Sequence, residues 1–144
     1  MVRPRIFLAD DHSDLLAAEI ALLRRHFDLV GTASDGVSLV SKVLRLNPDV
    51  VVVDITMPGI NGIEAVHRLT ESGCTAKFVF LTIHPEEEFV KACLEAGARG
   101  YVWKSRMKAH LISAIYAVLD GSQYVSPLSS SGLSRLQSPP DNLE

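Results

Sequence analysis

Val50-Val51-Val52-Val53-Asp54-Ile55-Thr56-Met57-Pro58-Gly59-Ile60-Asn61-Gly62 decides how the rest of the chain is read. Four consecutive valines lack the alternation of a half-exposed strand, so they predict a strand covered on both faces, and such strands belong to parallel sheets wrapped by helices. Working outward, further β-type runs lie at Ile6–Ala9, Leu29–Ala33, Phe78–Leu81 and Tyr101–Trp103, the last approached through Arg99 and Gly100. Between them the periodicity turns helical. Leu15, Leu16, Ile20 and Leu23 share one stripe, as do Leu39, Val40, Val43 and Leu44, and then Leu111, Ile115, Val118 and Leu119. Ser13 is a candidate cap for the first helix, Pro48 stops the second, and Gly121 ends the last. This βα alternation predicts a doubly wound α/β domain with the valine and Phe78–Leu81 strands innermost.

The bounds agree with one such domain. The chain has 144 residues, of which 47% are hydrophobic and 22% charged, enough for one buried core. A net charge of −3 with a pI near 5.9 offers no footprint for nucleic acid or an anionic membrane. Cys74 and Cys93 lack metal-ligand or CxxC spacing and read as reduced, buried thiols. With no run long enough for a membrane span and an N-terminal apolar run too short for a signal peptide, the expected location is the cytoplasm. From Ser126 the composition shifts to Ser, Pro, Gly and Asn. Residues 1–122 are therefore expected to form the domain, and 123–144 a linker or tail.

Open parallel sheets bind ligands at the carboxyl ends of their strands. The strand exits carry Asp10-Asp11, Asp54, Thr82 and Lys104. Carboxylates gathered there repel one another unless a cation compensates, and an oxygen-only cluster suits Mg²⁺ better than zinc. Lys104 adds a positive charge and Thr82 a hydroxyl. A carboxylate nucleophile flanked by a metal, an ammonium and a hydroxyl has the equipment for forming an aspartyl phosphate, and Asp54 is the candidate nucleophile. The Ile55–Gly62 loop is expected to hold it and to offer backbone carbonyls to the metal.

Those residues resemble the receiver domains of response regulators over roughly residues 5 to 122. The resemblance rests on Asp10-Asp11, Asp54 with Met57-Pro58 and Gly62, Leu81-Thr82, Gly97-Ala98, and Tyr101 ahead of Lys104. Leu81–His84, Gly100–Lys104 and Gly121–Pro127 look like the NarL/FixJ subfamily, usually joined to a LuxR-type helix-turn-helix. The resemblance implies a flavodoxin-like, five-stranded sheet in the order 2-1-3-4-5. It implies a phosphoryl group donated to Asp54 by a histidine kinase or phosphotransfer protein, with Asp11, Asp54 and the Thr56 carbonyl on Mg²⁺ (or Mn²⁺) and Asp10 acting directly or through water. Lys104 and Thr82 would hold the phosphoryl oxygens, and Tyr101 would turn into space that Thr82 vacates. A homodimer through the first or last helix also fits the subfamily.

Singly, each residue has a plainer reading. An acidic pair after a strand is usually a turn and helix cap, a lysine there a solvated side chain, and Tyr101 a packed aromatic. Their coincidence favours the functional reading. His12 and His84 lack a second ligand at helical spacing, which argues against zinc. Glu86-Glu87-Glu88 reads as a solvated helix start, and Arg24-Arg25-His26 as a helix end. Ser105 stands where many receivers have proline. Residues 127–144 could hold scarcely one helix, so this chain is not expected to bind DNA itself, and the output would be transcriptional through a domain it lacks. The alternative is a stand-alone receiver acting as phosphoryl shuttle or interaction module. A dedicated phosphatase of this chemistry wants a carboxylate two residues past the nucleophile, where Thr56 stands, so only slow self-dephosphorylation is expected.

Overall fold

The computed structural model describes residues 3–83 and 86–125. His84 and the expected tail from Ser126 lie outside them. Strand β1 (Arg5–Ala9) leads to helix α1 (Ser13–Leu23), β2 (Asp28–Ala33) to α2 (Gly36–Leu46), and β3 (Val50–Val53) to α3 (Gly62–Glu71). Then β4 (Lys77–Thr82) precedes α4 (Glu87–Ala96), and β5 (Gly100–Trp103) runs through a 3₁₀ turn at Lys104–Arg106 into α5 (Met107–Leu119). A last short strand, β6, covers Tyr124–Val125.

All strand pairings are parallel, and the sheet order is β2-β1-β3-β4-β5-β6. The expected order therefore holds, with β3 and β4 in the middle. The sheet has six strands, however, where five were expected. Tyr124 and Val125 pair with Gly100 and Tyr101, and the Tyr124 N–H donates to the Arg99 carbonyl at 2.9 Å. The sheet thus continues past residue 122. A two-residue strand has no periodicity to read, which is why it resembled linker.

Alternate residues of each strand enter two different cores. Phe7, Val51, Val53, Phe78, Phe80 and Tyr101 pack with Leu39, Val43, Val66, Leu69 and Val90 of α2, α3 and α4. Ile6, Leu8, Val50, Val52, Val79 and Leu81 pack with Leu23, Leu111, Ile115 and Val118 of α1 and α5. Burial of both faces explains the valine run. Leu44, assigned to the stripe of α2, is instead about half exposed.

Local chemistry sets the helix ends. Asp35 and Asn61 cap α2 and α3, accepting from the backbone N–H of Ser38 at 2.8 Å and Glu64 at 2.9 Å. Asn47 closes α2 in the left-handed region, one residue before Pro48. Ser13 is not the cap of α1: that position belongs to His12, whose side chain makes no capping bond to the helix. The imidazole is engaged with carboxylates instead.

Candidate functional site

The carboxyl ends of β1, β3, β4 and β5 bring Asp10, Asp11, Asp54, Thr82 and Lys104 to one edge of the sheet. Adjacent strands in register do this without any long-range search: Ala9 lies beside Val53, so Asp10 and Asp54 leave the sheet together. The Asp10 N–H donates to the Ala33 carbonyl and the Asp54 N–H to the Ala9 carbonyl, each at 3.0 Å. Both aspartates are nearly sealed, at 2% and 3% exposure, while Asp11 is open to solvent.

Lys104, at the start of the turn after β5, donates to Asp54 Oδ2 at 3.0 Å and lies 3.6 Å from Asp10 Oδ2. Thr56 donates its backbone N–H to Asp54 Oδ1 at 3.3 Å. Both acceptor oxygens are therefore aimed. Burial pushes the Asp54 carboxyl above its ordinary pKa, and the Lys104 ammonium works against that shift by stabilising the carboxylate. Behind Asp54 the loop is closed tightly, because the Gly62 N–H donates to the Ile55 carbonyl at 2.7 Å. Any Cβ at Gly62 would stand 2.1 Å from the Asp54 carbonyl oxygen, so only glycine lets α3 start there.

One site residue escaped the sequence reading, and a second was read only as a loop residue beside the pocket. Glu19 of α1 is 1% exposed, and neither of its oxygens meets a hydrogen-bond donor among the other heavy atoms. Burial first, and then the adjoining Asp10, push its carboxyl up to about 9, so it is neutral and its own proton is what joins the two carboxyls. The signal was available: Leu15, Glu19 and Leu23 are spaced four apart, which puts the glutamate on the buried stripe. His12 is the second, with Nδ1 at 3.2 Å from Asp10 Oδ1, 3.1 Å from Asp11 Oδ1 and 3.9 Å from Asp54 Oδ2.

Thr82 and Tyr101 are fully buried, and a hydrogen bond joins the threonine hydroxyl to the phenol. The ring expected to move inward already lies inside. Ser105 is exposed beside Lys104 and Trp103.

The donor set fits a hard divalent ion. One atom each from Asp10, Asp11, His12 and Asp54 lies within 4.8 Å of all the others. Lys104 is a single ammonium against three carboxylates, which leaves the edge short of positive charge.

Fold and pocket together define a flavodoxin-like α/β domain with an acidic, lysine-flanked site at its carboxyl edge. Residues 6–116 match the response regulator receiver domain, and the chain belongs to that family. It is similar to the response regulator GacA of Pseudomonas viridiflava, 38% identical over 126 residues that make up 85% of this chain and 58% of the relative. It is similar also to the oxygen regulatory protein NreC of Staphylococcus carnosus, 36% identical with the same shares. A solved LuxR-family two-component response regulator from Aurantimonas sp. SI85-9A1 superposes with a TM-score of 0.87 at 33% identity, covering 93% of this chain and 97% of that one. The chain is thus a receiver domain of two-component response regulators, of the NarL/FixJ type, and spans little more than half the length of the curated relatives. No helix among the described residues is long and apolar enough to cross a membrane.

Proposed function

We propose that Asp54 accepts, in the cytoplasm, a phosphoryl group from the phosphohistidine of a histidine kinase or phosphotransfer protein, in a reaction that needs Mg²⁺. The carrying observation is the 3.0 Å contact of Lys104 Nζ with Asp54 Oδ2 inside the acidic cluster. An Asp54 oxygen forms the new bond to phosphorus as the donor's P–N bond breaks, and the electron pair of that bond stays on the donor nitrogen. Asp10, Asp11, Asp54 and the Thr56 carbonyl would hold the ion, with Mn²⁺ as a substitute. Bound there, the metal supplies positive charge that offsets the carboxylates and the transferring group. Lys104 is close enough to follow a phosphoryl oxygen as Asp54 loses its charge, and the Thr82 hydroxyl, at the end of the adjacent strand, supplies a second donor.

Drawing Thr82 toward the phosphoryl group breaks its bond to Tyr101, and Tyr101 pairs across the sheet with Val125. The α4–β5–α5 face, with β6 on its edge, is therefore the surface whose two states phosphorylation rebalances, by about 1–3 kcal/mol if it behaves as typical linked equilibria do. The output we favour is transcriptional, through a LuxR-type domain in the remainder of the protein, with possible homodimerisation. A stand-alone phosphoryl shuttle is the alternative, distinguished by whether a helical basic domain follows residue 144.

Intact-mass spectrometry after incubation with Mg²⁺ and acetyl phosphate tests the proposal. One labile phosphoryl addition, dependent on Mg²⁺ and lost in Asp54→Ala, is the expected result. Addition that survives in the variant would mean another acceptor, and none in the folded wild type a receiver that signals by contact alone.

A further inference from the structure

We propose that the His110–Tyr124 hydrogen bond is a clasp holding β6 on the sheet, and that phosphorylation of Asp54 opens it and frees the chain beyond α5. The inference deepens the phosphoacceptor reading and rests on it for the trigger, while the clasp itself stands on geometry alone.

Strand β6 is a marginal element. It has two residues, lies at an edge and pairs only with β5, so few contacts set its local stability. The Tyr124 N–H donates to the Arg99 carbonyl at 2.9 Å, and the Arg99 guanidinium donates to the Gly121 carbonyl at 3.1 Å in the turn before the strand. Two side chains complete the attachment. Val125 is buried in the core that contains Tyr101, and the Tyr124 hydroxyl lies 2.6 Å from His110 Nδ1 of α5, with the ring centroids 6.0 Å apart. Both rings are partly buried, so the bond is sheltered from competing water.

The position of this strand connects it to the site. From the exit of β3 the path runs through Thr82 on the adjacent strand and Tyr101 on the next to Val125 on the last. While Thr82 is bonded to the Tyr101 phenol, the ring is fixed and Val125 packs into the same core. When Thr82 turns to a phosphoryl oxygen, the phenol loses that hydrogen bond in a buried setting and the ring shifts. Val125 then loses part of the packing that offsets the ordering of its short strand, and the balance moves toward the undocked state. Residues 120–125, released as extended chain, add about 20 Å of reach. Anything the protein carries after β6 is held against the β5–α5 edge in one state and loosely tethered in the other.

Amide hydrogen exchange of the whole chain, followed by NMR at residue 124, tests this, with intact mass recorded on the same samples to give the phosphorylated fraction. Phosphorylation with Mg²⁺ and acetyl phosphate should speed exchange of the Tyr124 amide about tenfold, while amides of β2, at the opposite edge of the sheet, keep their rates. Tyr124→Phe deletes only the hydroxyl and should speed the same amide about fivefold with no donor present, as expected for one lost hydrogen bond. In a His110→Ala background the same substitution should change nothing further, because its partner is gone. Phosphoryl uptake that leaves the Tyr124 rate unchanged, or slows it, overturns the opening. An unchanged rate in Tyr124→Phe overturns the clasp. Failure of uptake overturns the phosphoacceptor reading and the trigger together, and the clasp is still decided by Tyr124→Phe, which needs no donor.

Discussion

Lys104 holds two buried carboxylates at once, 3.0 Å from Asp54 and 3.6 Å from Asp10, with its side chain only 12% exposed. Replacing it by alanine removes the chief influence that keeps the Asp54 carboxyl charged against burial. Initial phosphoryl uptake from acetyl phosphate at fixed Mg²⁺ should fall by about 100-fold in Lys104→Ala, the usual loss on deleting one positioned donor. A rate within a factor of two of wild type would remove Lys104 from the chemistry. Glu19 makes a separate prediction about pH. Its folded value of about 9 lies above the ordinary 4.5, so below about pH 4.5 its contribution to stability is complete. As pH rises toward 9 the unfolded chain releases the proton and the folded chain keeps it, so stability falls. The slope is at most about 1.4 kcal/mol per pH unit. Urea midpoints measured from pH 5 to 9 in EDTA should decline in wild type and stay flatter in Glu19→Gln; parallel curves would show that Glu19 does not hold its proton. What the sequence made legible at this scale were residues at strand ends, because the exits of a parallel sheet converge by topology. Glu19 was opaque because it is a charge hidden in an apolar stripe, whereas His12 was legible only as a loop residue beside the pocket.

The elements that aim Asp54 depend on single positions. Gly62 begins α3 where a Cβ would meet the Asp54 carbonyl oxygen at 2.1 Å and Val53 Cγ1 at 2.9 Å, and the closer neighbour is backbone that cannot rotate away. Gly62→Ala should lose about 3 kcal/mol by urea unfolding. Gly73→Ala is the useful contrast, since its φ of +84° strains alanine but nothing lies within 4 Å, and about 1 kcal/mol is expected. Equal losses at the two positions would mean that crowding at Asp54 is relieved for free. At the other end, Val125 of β6 is 2% exposed in the same core as Tyr101, and Tyr124 OH lies 2.6 Å from His110 Nδ1 of α5. Val125→Ala should therefore cost about 2 kcal/mol, whereas a residue in a loose linker would leave the urea midpoint where it was. The long strands were readable because burial on both faces removes alternation over four or more residues. The same rule has nothing to act on in a pair of residues, and β6 is held by register with β5 instead.

Across the whole molecule, two apolar layers enclose the sheet and the polar chemistry collects at one edge. Binary pattern specified the layers and the two innermost strands, so the doubly wound architecture was within reach of the residues, whereas the full strand order came with the family resemblance. The balance of forces at the edge was not, because it depends on how deeply each carboxylate is sealed. Asp54 illustrates the conflict: burial raises its pKa despite Lys104, so its charged form opposes folding when no cation is present. Asp54→Asn keeps the shape and removes that charge, while Lys104 retains Asp10 at 3.6 Å. In EDTA at pH 8 the variant should be more stable than wild type by on the order of 1 kcal/mol, as expected where function and stability compete. Adding Mg²⁺ should then raise the melting temperature of wild type more than that of the variant, because an ion stabilises the state that binds it by an amount that grows with the logarithm of its affinity. Thermal melts of both proteins across a Mg²⁺ titration measure the two effects together. A variant that starts higher and responds less would show the acidic edge to be a metal site assembled against the folding preference of its own carboxylates. A variant that starts lower would mean that the Lys104–Asp54 pair stabilises the domain outright, and equal Mg²⁺ responses would take Asp54 out of the ion's shell.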